Sequence, residues 1–216
     1  MTEQEGVIKY RLSHQTEGPA APEAVAELIA WRRILHRLDL IGEDPNRYGG
    51  FGFGNLSVRL PPSCGARYPF LISGTQTGAL TELGPEHFAV VTDWIPHENR
   101  ILSKGPIQPS SEAMTHAGIY ALDQRTRAVI HVHSPHIWQA ARWLALPQTP
   151  ADADYGSPAM AQAVRELLAQ RENRRRRVFV MLGHEDGVVA FGPSLSHAGC
   201  ALLSVLAEAY RPFRTH

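Results

Sequence analysis

The stretch that most constrains this chain is residues 128–136, AVIHVHSPH, where an apolar run delivers two histidines one residue apart. Alternate residues of a strand share a face, so a strand here aims the imidazoles of His131 and His133 at one point. Neutral imidazole is the commonest protein ligand for a catalytic divalent metal. A hydrolytic or lyase-type site usually takes three protein ligands and keeps one position open. The rest of the chain has to supply the remaining groups.

A length of 216 residues fits one large domain with its own core. The expected division is a tail over residues 1–21, with a short extended piece near residues 7–12, and a single domain over residues 22–216. Lys plus Arg and Asp plus Glu balance at 21 each, so no global field recruits nucleic acid or an anionic membrane, and neither is expected as a partner. Lysine occurs only at Lys9 and Lys104, which leaves little material for Schiff-base chemistry and turns attention to a metal. Cys64 and Cys200 are too few for a disulfide framework, and no signal-like segment opens the sequence. No apolar run approaches the roughly 18 residues of a membrane span. The expected setting is reduced and cytoplasmic.

Helical spacing of Val25, Leu28, Ile29, Leu35 and Leu38 after Pro22 predicts a helix over residues 22–40. Strands are expected at residues 55–60, 70–72, 89–94, 100–102, 128–133, 178–182 and 188–192. Further helices are expected at residues 111–122, 137–146, 157–170 and 194–210. Strands that fall both in hairpin-like succession and between helices predict an α/β fold: three layers, α/β/α, around a mixed, largely antiparallel sheet. GGFGFG at residues 49–54 precedes a strand, whereas a dinucleotide loop follows one, so that motif is set aside. Four arginines at residues 174–177 read as a solvated edge or a subunit contact rather than a nucleic-acid patch.

Several residues could complete a site around the histidine pair. His184, between glycines in GHEDG, is the best third ligand, with His116, His136 and His197 as competitors. Glu112 lies at the start of a helix, where an acid is either a capping group favoured by the helix dipole or a functional carboxylate. Ser110 and Ser111 beside it are either caps or the donors of an anion site. SGTQTG at residues 73–78 is a turn of small hydroxyls and glycines, which is either simply a turn or one whose backbone amides cradle an anion.

In this order GNLS, SGTQTG, PSSE, HVH and GHEDG resemble the motifs of the class II aldolase/adducin family, over residues 22–210. Its members include fuculose-phosphate aldolase-like and ribulose-phosphate epimerase-like enzymes. The resemblance implies that His131, His133 and His184 bind a divalent metal, usually zinc, with Glu112 completing its shell or acting as acid/base. It implies that Asn55, Ser73, Gly74, Thr75, Ser110 and Ser111 hold a substrate phosphate. It also implies a homotetramer working in carbohydrate metabolism.

The expected function is a metal-dependent lyase acting on a small hydroxy-carbonyl compound, with a sugar phosphate among the candidates. A metal polarises a carbonyl or enediolate oxygen while a carboxylate moves a proton on the neighbouring carbon, which serves cleavage, epimerisation or dehydration. The alternative is a non-catalytic, adducin-like oligomeric scaffold. Three departures from the family pattern stand out. The segment after His136 is shortened, and no residue corresponds to the tyrosine that cleaving members use as a proton donor. Gln108 stands where a basic residue is common, and Glu185 and Asp186 follow the third histidine.

Overall fold

Every residue of the strand Ala128–His133 is buried, and its alternation sorts the molecule into layers. Ala128, Ile130 and Val132 join one apolar core, while Val129 joins another on the opposite side of the sheet. The structure, a computed structural model, describes residues 7–61 and 69–211. Cys64 lies outside the described residues.

In chain order the elements are β1 (Arg11–Thr16), α1 (Pro22–Arg37), β2 (Gly42–Glu43), β3 (Gly52–Phe53), β4 (Asn55–Arg59), β5 (Phe70–Ser73), β6 (Phe88–Ile95) and β7 (Arg100–Gly105). There follow α2 (Ala113–Leu122), β8 (Ala128–His133), α3 (Pro135–Ala140), α4 (Pro158–Ala169), α5 (Arg171–Arg176), β9 (Val178–Val180), β10 (Gly187–Gly192) and α6 (Leu195–Ala209). Eight strands form one sheet in the order β1-β7-β6-β5-β4-β8-β10-β9, and β2 and β3 form a small separate pair. Within the eight-stranded sheet, among the described residues, only β1 and β7 run parallel; the other ladders are antiparallel. This is the expected mixed, largely antiparallel sheet in an α/β/α sandwich.

The first core packs α1, α3 and α6 through Val25, Leu28, Leu35, Ile137, Ala198, Leu202 and Leu206. The second packs α2 and α4 through Met114, Ile119, Met160, Val164 and Leu168 against Phe70, Ile72, Phe179 and Val189. Each fully buried leucine or isoleucine contributes roughly 1.5–3 kcal/mol of hydrophobic transfer energy. Ser157 and Ser194 cap α4 and α6 by accepting from the Met160 and His197 amides.

Three local expectations change. Residues 11–16, expected within the tail, form an edge strand in register with all of β7. Tyr10, just before it, is buried in the second core, and its hydroxyl donates to the Ser110 carbonyl at 2.8 Å. The helix after the histidine pair begins at Pro135 and stops at Ala140, where a proline in the first turn and the Ser134 cap fix its start. Three of the four arginines form the second half of the short α5, and Arg177 follows its end.

Candidate active site

His131 and His133 follow Val129 on one face of β8, so both imidazoles project toward the layer of α2 and α4. His184 comes from the connection between β9 and β10. That connection is closed by the Met181 amide donating to the Gly187 carbonyl at 2.9 Å and the Gly187 amide to the His184 carbonyl at 2.9 Å. The β10 register opposes Gly187 to His133, which carries the connection back over the histidine pair. A Cβ on Gly183 would sit 2.0 Å from the Ala153 carbonyl oxygen, so only glycine lets this turn pack against the loop before α4.

The result is one convergent, buried set. One ligand atom from each of His131, His133 and His184 lies within 4.8 Å of the others, an arrangement that can hold a metal ion. His131 Nδ1 is 3.2 Å from the Val188 carbonyl, which it reaches as a donor when the proton sits on Nδ1. Its Nε2 is then a lone-pair atom, buried and without a hydrogen-bond partner among the described residues. A second nitrogen fixed by a backbone carbonyl is the usual support of a metal-bound histidine, so the donor set fits a divalent ion. Burial, followed by the charge of His184, holds the basicity of both His131 and His133 well below the usual imidazole range.

Aromatic rings brace the cluster. Tyr155 stacks on His184 with centroids 4.6 Å apart, and Lys9 Nζ lies 3.8 Å from the Tyr155 ring centroid. Tyr48 meets the His133 ring edge-on at 4.4 Å, and Phe53 lies 5.3 Å from it. The Tyr48 hydroxyl donates to Asp186 Oδ2 at 2.6 Å, and Arg47 pairs with the same oxygen at 3.5 Å. The glycine-rich segment set aside as a nucleotide motif therefore builds one wall of this site. Burial and the Asp186 carboxylate push the Tyr48 hydroxyl above its ordinary range.

Beside the histidines is a polar recess lined by Gly52, Gly54, Asn55, Gly74, Thr75, Gln76, Thr77, Gly78, Ser110 and Ser111. It includes five of the six expected anion-binding residues. Asn55 opposes His131 in the β4–β8 register, which fixes the recess next to the cluster. Ser73 does not line it: its Oγ accepts from the Leu56 amide at 3.3 Å, and its carbonyl accepts from the Ser110 amide. The amides of Gly74 and Thr75 are also engaged, by the carbonyls of His87 and Gln108. Buried Arg32 of α1 holds the turn by donating to the carbonyls of Thr77 at 3.2 Å and Gly78 at 2.9 Å. Burial lowers this guanidinium's pKa to about 10. Gly78 is forced by close approach, since a Cβ there would lie 2.3 Å from the Gly42 carbonyl oxygen.

Glu112 occupies the N-cap position of α2 and is 1% exposed, yet its side chain makes no capping bond. Its carboxylate stands outside the convergent histidine set. Of the competing histidines, His116 turns to Ser57, with Nδ1 at 2.7 Å from Oγ, and His197 to Ser194 at 2.8 Å. His136 rests against the Tyr210 ring.

Arg32, Tyr48 and Asp186 were not among the expected site residues. Arg32 did carry a signal, a charge on the stripe of Val25, Leu28 and Leu35. Tyr48 carried none, because its contact with β8 exists only in three dimensions.

Solved structures show the same architecture. An L-fuculose 1-phosphate aldolase aligns with a TM-score of 0.60 and 20% identity, covering 90% of each chain. The L-fuculose-1-phosphate aldolase from Thermus thermophilus gives 0.62 and 21%, over 88% of this chain and 92% of that one. A sugar-phosphate aldolase from Thermotoga maritima gives 0.58 and 18%, over 88% and 97%. At these identities the likeness establishes the fold. No curated protein sequence gives a significant match. The sequence model of the class II aldolase and adducin N-terminal domain matches residues 45–210, most of the chain, and the protein therefore belongs to the class II aldolase/adducin family.

Proposed function

We propose that the protein is a metal-dependent, aldolase-type lyase acting on a small hydroxy-carbonyl compound with an anionic group, a sugar phosphate being the best fit. The observation that carries this reading is the convergence of three buried imidazoles beside a recess lined by hydroxyls, amides and glycines. His131, His133 and His184 would hold the metal, most simply zinc. When bound, such an ion supplies positive charge that polarises the substrate's carbonyl oxygen.

The chain's own residues divide the remaining work. Asn55, Thr75, Ser110 and Ser111 would bind the anionic end of the substrate, with Gly74 keeping the wall low and Ser73 holding the turn in place. Glu112, outside the ligand set, would exchange a proton with the substrate carbon or oxygen next to the polarised carbonyl. Its burial keeps competing water away from that carboxylate. No residue here corresponds to the tyrosine that cleaving members use as a proton donor, so the reading keeps epimerisation and dehydration beside cleavage. Relatives such as the fuculose-phosphate aldolases are named for sugar phosphates, which supports the substrate class.

The test is a panel of sugar phosphates assayed for cleavage, epimerisation and dehydration with wild type and Glu112→Gln. The expected loss is roughly 10²- to 10⁴-fold in turnover with the fold intact. An unchanged rate would remove Glu112 from the chemistry. His131→Ala is expected to lose its metal on elemental analysis, and full stoichiometric metal in that variant would break the ligand assignment. Protein that purifies without metal and gains no thermal stability from added zinc would be the non-catalytic scaffold instead.

A further inference from the structure

At the opposite end of β8 and β10 lies a second charged recess, of about 390 Å³, lined by Asp123, Arg125, Thr126, Arg171, Arg174, Arg175, Arg177, Phe191, Gly192 and Pro193. Gly192 pairs with Ala128 and Gly187 pairs with His133, so five strand residues separate this recess from the histidine cluster. At a rise of about 3.3 Å per residue that is about 17 Å. It is a separate place on the molecule, with no residue in common with the hydroxyl-lined recess beside the histidines.

Five guanidinium groups face one carboxylate here, which leaves four positive charges uncompensated. Asp123 is taken by Arg125, which donates to both of its carboxylate oxygens, at 3.1 Å and 3.0 Å. Arg174 turns back to the carbonyls of Leu168 and Ala169 at the end of α4. Among the described residues Arg171, Arg175 and Arg177 have no carboxylate partner. Arg171 and Arg175 are four residues apart on α5 and so share a face, and Arg177 follows in a left-handed turn. Concentrating like charge costs free energy unless an anion offsets it, and the guanidinium fork matches the paired oxygens of a phosphoryl group. The volume suits a small molecule.

We propose that this recess binds a small phosphorylated anion carrying at least two negative charges, at a site distinct from the catalytic one. Arg171, Arg175 and Arg177 hold the phosphoryl oxygens, and Phe191 and Pro193 form an apolar floor for whatever the phosphoryl group is attached to.

The probe is inorganic pyrophosphate, titrated by calorimetry into the full chain at constant ionic strength. Besides any binding at the hydroxyl-lined recess, one saturable site per chain is expected that persists in Ser110→Ala/Ser111→Ala and is weakened at least tenfold in Arg171→Gln/Arg175→Gln. The affinity of that site is expected to stay unchanged in Ser110→Ala/Ser111→Ala and in His131→Ala, which separates it from the hydroxyl-lined recess and from chelation of metal. Both arginines are exposed, so the double variant should keep the parent melting temperature. Wild-type affinity in the arginine variant, loss of binding in the serine variant, or a Kd weaker than roughly 1 mM for wild type would each overturn the proposal. So would a duplex oligonucleotide that binds the same arginines more tightly than pyrophosphate. Dissociation of an oligomer in the arginine variant, with no change in pyrophosphate binding, would make the recess a subunit contact.

Discussion

The two faces of the sheet are built to different rules. On the side of α1, α3 and α6, the strands contribute Leu56, Leu71, Ile130, Val132, Val180, Val188 and Ala190, and the core they form is apolar. On the side of α2 and α4 the same strands insert Ser57, His131 and His133 between apolar neighbours, and α2 adds Glu112 and His116. A buried polar group costs free energy unless it is bonded, and it cannot relax the way an aliphatic side chain does. Both faces bury a large apolar core, and the strand residues that join the first are all apolar. The second gives up part of that stability for fixed donors and acceptors.

The contrast breaks most clearly at a large aliphatic residue of the first face. Leu202→Ala is expected to cost about 2–5 kcal/mol in urea denaturation while leaving metal content per folded chain unchanged. Loss of metal in parallel with stability would show that the two faces are not separable.

An intermediate effect is expected at His116. This ring is fully buried, bonded to Ser57, and burial lowers its pKa to about 3 from an ordinary value of 6.5. Between those values the unfolded chain binds a proton that the folded chain refuses, so stability falls as pH drops below 6.5 and levels off above it. The slope from this group approaches about 1.4 kcal/mol per pH unit. Between pH 6.5 and 4.5, wild type should lose about 2 kcal/mol more unfolding free energy than His116→Asn in denaturation experiments. Equal losses would mean that the ring charges without penalty.

The smallest effect belongs to Tyr48→Phe, which removes a bond to a carboxylate but keeps the ring against His133. The expected cost is on the order of 1–2 kcal/mol, with metal affinity reduced and not lost. A variant indistinguishable from wild type in both would leave the position of Asp186 to Arg47 alone.

The sandwich and the histidine pair were legible because each rests on a local period, whereas His184 was a candidate through its glycine-flanked loop and the order of motifs. Val129, His131 and His133 alternate, and Leu195, Ala198, Leu202 and Leu206 repeat at helical spacing, so sequence spacing translates directly into shared faces. The order of motifs then brought Ser110, Ser111 and Asn55 into the same region. What spacing does not encode is which backbone groups are already occupied. The Gly74 and Thr75 amides look like ideal anion donors in sequence, yet the neighbouring segments at His87 and Gln108 claim both. Likewise, residues 11–16 look polar because an edge strand needs apolar side chains on one face only, and β7 supplies the partner from far along the chain.

That strand carries a kinetic consequence. Tyr10 meets Ser110 across 100 residues of sequence, and β1 pairs with β7 over a comparable span. Closing loops of this length costs more chain entropy than closing the local hairpin of β6 and β7, so β1 is expected to dock on an edge already formed. The carbonyl that Tyr10 holds belongs to the same segment as Glu112. The ladder that closes the longest loop of the sheet is thus tied, through Tyr10 and Ser110, to the segment that carries Glu112.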